Sequence, residues 1–233
     1  MAEEKIIRVK DLEVHVYKKK IKNYHINVLP PDGKVRVSVP MDTPDEAIRL
    51  IVIKRYDWIK KHVKRMREQE RQTEREYVSG ESHYFKGKRY LMRVEESKRP
   101  RIEIKNKKYI YFYVPPHYSK EQRRAYYERW LRVELKKELE VLVPKWEKII
   151  GVKAKEVRIK KMKTKWGSCN PNARRIWINL ELIKKPPEYL EYVIVHELVH
   201  LIEKKHNKTF YELMNKFLTS WKIYKKNLND FIL

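Results

Sequence analysis

The stretch "VIVHELVHLIEKKHNKTFYEL", residues 193–213, holds His196, Glu197, His200 and His206. On a helix of about 3.6 residues per turn, His196 and His200 stand one above the other on the same face. Two imidazoles so placed can hold one zinc ion at about 2.0–2.1 Å. Glu197 is rotated roughly 100° from His196. That is too oblique for an easy ligand, but within reach of a metal-bound water whose proton it can take as a general base. The neighbours "YLEYVIV" (189–195) and Leu201 are apolar, as a buried motif helix requires. The bland reading is a helix with unrelated histidines.

A third ligand has two candidates. His206 gives the spacing HExxHxxxxxH, and Glu212 is the next carboxylate after Glu203. An unbroken helix would carry His206 well off the ligand face. The chain must therefore turn after about Glu203, and Lys204, Lys205 or Asn207 has to absorb it. Asn tolerates the left-handed conformation best of these. Thr209 with Glu212 fits a capping box, which places Glu212 at the start of a last helix.

Working outward, "IKNYHINVLPPDGKVRVSVP" (21–40) reads as a hairpin around Pro31-Asp32-Gly33, with Val35, Val37 and Val39 on one side. "KIIRVKDLEVHVYKKK" (5–20) reads as a strand or two. Thr43, Pro44 and Glu46 spell a capped helix running to about residue 66 through Trp58, Ile59 and Val63. "HYFKGKRYLMRVEE" (83–96) and "RIEIKNKKYIYFYVP" (101–115) alternate like strands. A second long helix starts near Ser119 and runs to Pro144. Hairpin, Val-Pro, cap and Trp-bearing helix thus occur twice, but with unequal spacings, so coincidence is the simpler account. "KEVRIKKMKTKWGSCNPNARRIWINLELI" (155–183) suggests two strands around a turn. Pro186-Pro187 open the motif helix, and "TFYELMNKFLTSWKIYKKNL" (209–228) reads as a terminal helix. The class is α+β, with an N-terminal hairpin-and-helix region at 1–80 and a second domain at 81–233. The boundary is soft, near 72–82, and the chain could equally form one unit.

Composition bounds the function. There are 233 residues, 42% of them hydrophobic, enough for a sizeable core. No apolar run reaches the roughly 18 residues that span a bilayer, and the start lacks a secretory h-region. With one cysteine, Cys169, no internal disulfide forms; a cytoplasmic setting is expected. The net charge is +25, spread along the chain. It fits either an anionic partner such as nucleic acid or a heat-adapted, thermophile surface rich in Lys and Glu.

"KWGSC" (165–169), "INLELI" (178–183) and "EYVIVHELVHLIEKKHNKTFYELM" (191–214) together resemble the YgjP-like family of zinc metallopeptidases, related to the WLM and SprT-like group. "WIKKHVKRM" (58–66) is similar to the family's first region. The resemblance implies a zincin-like α+β core, one zinc ion on His196, His200 and His206, Glu197 as base, and a peptide or protein substrate. The glycine that metzincins place at the corner after such a helix is Glu203 here. Substrate could lie along an edge strand, drawn from "RRIWINLEL" or "VRIKKMKTKW". Lys165, Arg174 and Tyr211 qualify by type as donors to a reacting oxyanion. Cys169 reads as a small buried hydrophobe rather than a ligand. Two rival readings use the same residues: a metal-dependent hydrolase of nucleotide phosphoanhydrides, or a nucleic-acid-binding protein with a structural metal.

Overall fold

The computed structural model describes residues 4–29, 32–68 and 75–230. The chain divides into two compact units, Met1–Thr73 and Glu74–Leu233, each with its own hydrophobic core. Among the described residues there are three sheets and six α-helices, a mixed α+β architecture. None of these helices is long and apolar enough to cross a membrane.

The first unit begins with β1 (Glu4–Val9), β2 (Leu12–Lys19), β3 (His25–Leu29) and β4 (Lys34–Pro40). Their order in the sheet is β1-β2-β4-β3: two antiparallel hairpins joined by the parallel pair β2–β4. β-Branched residues fill the pleat. Val14, Val16, Val35, Val37 and Val39 are all buried on one face. Two helices cover that face, α1 (Asp45–Lys54) with Ile48 and Val52, and α2 (Tyr56–Glu68) with Ile59 and Val63. The single helix expected here breaks at Arg55. Thr43 is not its cap: Pro44 holds that position with no side-chain hydrogen bond, while the Thr43 N–H donates to the Pro40 carbonyl.

The second unit repeats the plan. β5 (Ser82–Phe85), β6 (Lys88–Glu96), β7 (Arg101–Lys105) and β8 (Tyr109–Val114) form a sheet in the order β5-β6-β8-β7, again two hairpins joined by a parallel pair, β6–β8. Strict alternation in β8 sends Ile110, Phe112 and Val114 inward. Residues 75–80, inside the soft boundary near 72–82, lie with this sheet. Tyr77 is buried in its core, and the Gly80 N–H donates to the Met92 carbonyl. Next comes α3 (Lys120–Ile150), started by a complete Ser119–Gln122 capping box. Pro144 does not end it. The helix runs through the proline to Gly151, which leaves in the left-handed conformation.

Residues 155–183 give three strands rather than two. β9 (Glu156–Lys160), β10 (Gly167–Asn170) and β11 (Arg175–Asn179) form a sheet in the order β10-β11-β9. A 3-10 turn at Leu180–Lys184 leads into α4 (Pro187–Val199). The tight β5–β6 turn fixes where α4 begins. The N–H groups of Lys86 and Gly87 donate to the carbonyls of Ile183 and Lys184, and a Cβ on Gly87 would lie 2.9 Å from Pro186. The terminal helix expected at 209–228 is two: α5 (Lys208–Phe217) and α6 (Trp221–Asp230). Asn207, not Thr209, caps α5 by accepting from the Phe210 N–H.

Candidate metal centre

Nine residues of α4 are buried, Val193, Ile194, Val195, Leu198 and Val199 among them, so the helix runs through the core of its unit. That burial fixes His196 and Glu197 in its last turn. The helix stops at Val199, earlier than the sequence suggests. His200 is its C-cap, still in the right-handed helical region, and its N–H donates to the His196 carbonyl. The next two turns tighten: Leu201 N–H reaches Leu198 and Ile202 N–H reaches Val199.

The corner needs no left-handed residue. The residues with positive φ among those described lie elsewhere, and Asn207 is extended at φ −97°. Glu203 holds the turn instead. Its carboxylate accepts the Lys205 N–H at 2.9 Å, and its carbonyl accepts from His200 Nδ1 at 3.0 Å. His206 then folds back over α4. Its Nε2 lies 3.1 Å from His200 Nε2 and 3.0 Å from His196 Nε2. Phe210, fully buried on α5, packs against all three rings. Glu212 is outside this group, exposed and 3.8 Å from Lys208.

The three rings fit a divalent cation. His200 Nδ1 faces a carbonyl, so it carries the hydrogen and leaves the Nε2 lone pair pointing at the other two rings. One shared proton cannot satisfy three nitrogens meeting at one point. A tetrahedral ion with bonds of about 2.0–2.1 Å would hold its ligand nitrogens about 3.3 Å apart, close to the spacing seen. Burial, helped by the neighbouring imidazoles and Lys225, pushes His196 down to about 3; His200 and His206 are also lowered, chiefly by burial. All three are therefore neutral near pH 7, the form that binds metal.

Glu197 is 5% exposed, and burial pushes its carboxyl up to about 8, against the pull of Lys165. It rests on the backbone of Gly167. A Cβ there would come within 2.5 Å of the Glu197 carboxylate and 2.8 Å of Val193, so only glycine lets β10 pass this close. β10 is an edge strand. Of the two edges suggested by sequence, "RRIWINLEL" holds the central β11, whereas "VRIKKMKTKW" includes the far edge, β9. The strand beside Glu197 was missed because "GSCN" has no apolar alternation.

A family model, the YgjP-like metallopeptidase domain, matches residues 22–231. The chain belongs to the YgjP-like family. No curated protein matches it. Among solved structures, the metallopeptidase zymogen abylysin of Pyrococcus abyssi is 22% identical, with a TM-score of 0.36, over 39% of this chain and 90% of that one.

Two segments quoted for the YgjP-like resemblance acquire a structural reason. Asn179, in "INLELI", has no solvent exposure. Its side-chain amide donates to the carbonyls of Met162 and Lys165 at 2.9 and 2.7 Å, and its oxygen accepts the N–H groups of Met162 and Glu181. It thereby clamps the loop that delivers "KWGSC" to Glu197. A buried Asn in a strand of apolar residues was the available signal for this role. Of the three oxyanion donors named by type, Lys165 lines the pocket beside Glu197. Arg174 instead donates to the Lys153 carbonyl, and Tyr211 stacks on Trp221. Cys169, half-buried, pairs with Ile176 in the sheet; burial and the nearby Glu197 push its thiol up to about 11, which keeps it protonated near pH 7.

Proposed function

We propose that this chain is a zinc-dependent peptidase with a zincin-like centre, using His196, His200 and His206 as ligands for one ion and Glu197 as general base. The observation that carries the reading is the meeting of His206 Nε2 with those of His196 and His200, at 3.0 and 3.1 Å, beside a buried carboxyl. Zinc held there supplies Lewis acidity, which brings the pKa of water toward about 7.

The chain's own groups supply the rest. The buried Glu197 takes the proton of the attacking water on one carboxylate oxygen and returns it to the leaving nitrogen. Without a cation, burial keeps this carboxyl protonated; a positive charge beside it favours the ionised form that a base needs. The free edge of β10 offers backbone N–H and C=O groups to an extended peptide. Lys165, lining the same pocket, can donate to the oxyanion that forms as the carbonyl is attacked.

Glu197→Gln keeps the shape and removes the base. We expect it to retain about one zinc per chain while peptide hydrolysis falls at least about 100-fold. Wild-type turnover in that variant sinks the assignment of the base. A second reading, phosphoanhydride hydrolysis of a nucleotide, draws on Lys165 and Lys225 lining the pocket. Pyrophosphate release with no peptide cleavage would favour it.

A further inference from the structure

The pocket beside Glu197 has apolar walls, from Trp166, Tyr192, Val193 and Leu228, and two ammonium groups, from Lys165 and Lys225. Glu197 is the only carboxyl among its lining residues. Elsewhere in the second unit some cations are paired with acids, Lys145 with Glu191, Lys161 with Glu128 and Lys184 with Glu181. Among the described residues, neither Lys165 nor Lys225 has an acidic partner within ion-pair distance.

The two lysines are placed by different means. The Lys225 ammonium sits 5.5 Å over the Trp221 ring and 5.8 Å over the Tyr211 ring. Those rings stack on each other at 5.4 Å and 11°, and Tyr211 stacks in turn on His206. This places Lys225 against the metal ligands by packing rather than by charge. The Lys165 backbone is anchored, its carbonyl accepting from the buried Asn179 amide at 2.7 Å, while its side chain is exposed. Two unpaired cations beside three imidazoles repel any cation bound there. Glu197 is the only acid lining the pocket to offset them, so with a cation bound the site carries excess positive charge that a substrate anion would relieve.

We infer that Lys165 and Lys225 are specificity residues that bind a substrate carboxylate next to the bond to be cut. The inference rests on the peptidase reading and names its substrate class: peptides bearing a carboxylate at the site, on an acidic side chain or at a free C-terminus. The apolar walls between the lysines then hold the aliphatic part of that residue, and the ammonium groups take its charge.

The test measures binding without turnover. Full-length Glu197→Gln protein, loaded with zinc, is titrated with short fluorescent peptides that differ at one position as Glu, Gln or Lys. Each is made with a free and with an amidated C-terminus. We expect the Glu peptide, or the free acid, to bind about tenfold tighter than its neutral counterpart. Which of the two wins says where the carboxylate resides. Raising salt should shrink the preference. Lys225→Met and Lys165→Met should each cut the preference several-fold, and Lys225→Glu should turn it toward the Lys peptide. Zinc content checks that these variants keep the centre. In the chain with Glu197 intact, Lys225→Met should raise KM for acidic peptides and leave kcat for neutral ones unchanged.

Equal affinity for Glu, Gln and Lys peptides overturns the inference, as does a preference that survives both methionine variants. A nucleoside triphosphate that binds in a lysine-dependent way and is cleaved where no peptide is would also overturn it. That result would point to the peptidase reading itself as the failure. Loss of discrimination with peptide cleavage intact would leave the peptidase reading standing.

Discussion

The two units share one plan and put it to different use. In each, two hairpins are joined through a parallel pair of strands, and a proline follows or closes the last strand. The helix cap comes four residues after that proline, Pro44 after Pro40 and Ser119 after Pro115. Even the turn agrees: Thr43 N–H donates to Pro40, and Tyr118 N–H donates to Pro115. Val37 lies between Val16 and Ile26 in the first sheet, as Phe112 lies between Val94 and Ile102 in the second. The repeat that looked like coincidence in the sequence is therefore real at the level of topology. Placing the first cap on Thr43 hid the equal spacing. What differs is the continuation. The second helix runs for 31 residues and packs against α4 and the 3-10 turn, and all three histidines of the candidate metal centre come after it. In the first unit His15 is taken up by Glu4 and Glu13, and His62 by the Trp58 carbonyl. The repeated module is a support, and the candidate site is added behind its second copy.

The largest test of this division uses the equivalent core positions. The two cores share no residue, so denaturant unfolding should show two transitions. Phe112→Ala removes a fully buried ring and should lower the second by about 3–5 kcal/mol. Zinc release should move with that transition. Val37→Ala removes two buried methyl groups and should lower the first by about 2 kcal/mol while leaving zinc release in place. One transition, shifted alike by both variants, would break the comparison and make the two units a single cooperative body.

The same contrast explains what was legible in the sequence. Strands with strict alternation, such as Tyr109–Val114, and the motif helix with its two spaced histidines announce themselves because burial imposes a period on the chain. The turn from His200 to His206 did not. Its geometry depends on Glu203 using both its carbonyl and its carboxylate, a tertiary arrangement with no periodic signature. Gly167 and Asn179 were missed for a related reason. Each is defined by what it touches across the fold, Glu197 in one case and the 162–165 loop in the other. The helix breaks at Arg55 and near Leu218 fall within stretches that stay apolar at helical spacing, so pattern alone runs through them.

Protonation acts in opposite directions on paired acids of the first unit and on the buried Glu197 of the second. In the first, Lys60 and Tyr56 hold Asp11 down to about 2, and Tyr17 and His15 do the same for Glu4. Stability from these groups is present above their ordinary pKa and is lost as pH falls toward 2. In the second, burial holds Glu197 up at about 8. The folded state then binds a proton that the unfolded chain gives up from about pH 4.5. Its contribution is intact below pH 4.5 and is lost as pH rises to 8, at up to about 1.4 kcal/mol per pH unit. The comparison to make is metal-stripped wild type against Glu197→Gln between pH 5 and 8. His196 and His83, pushed down to about 3 and 4 by burial, tilt both proteins equally in the other direction, so the difference isolates Glu197. Parallel pH profiles for the two proteins would show that the carboxyl is not desolvated.

The smallest effect tests the helix caps, where the two modules differ at equivalent positions. Ser119 caps α3 through its hydroxyl, which accepts the Gln122 N–H, while the Gln122 side chain accepts the Ser119 N–H. Pro44, its counterpart, offers no side-chain acceptor, so α1 starts on backbone geometry and on the acids Asp45 and Glu46 in its first turn. Ser119→Ala should therefore cost the second unit about 1 kcal/mol. Thr43→Ala should leave the first unit within about 0.5 kcal/mol of wild type, as for a surface residue away from any cap. Denaturant midpoints of the two transitions read both changes in one experiment. If Thr43→Ala costs as much as Ser119→Ala, the hydroxyl of Thr43 caps α1 in solution. The two modules would then start their helices one residue out of step, and the equal spacing from proline to cap would be lost.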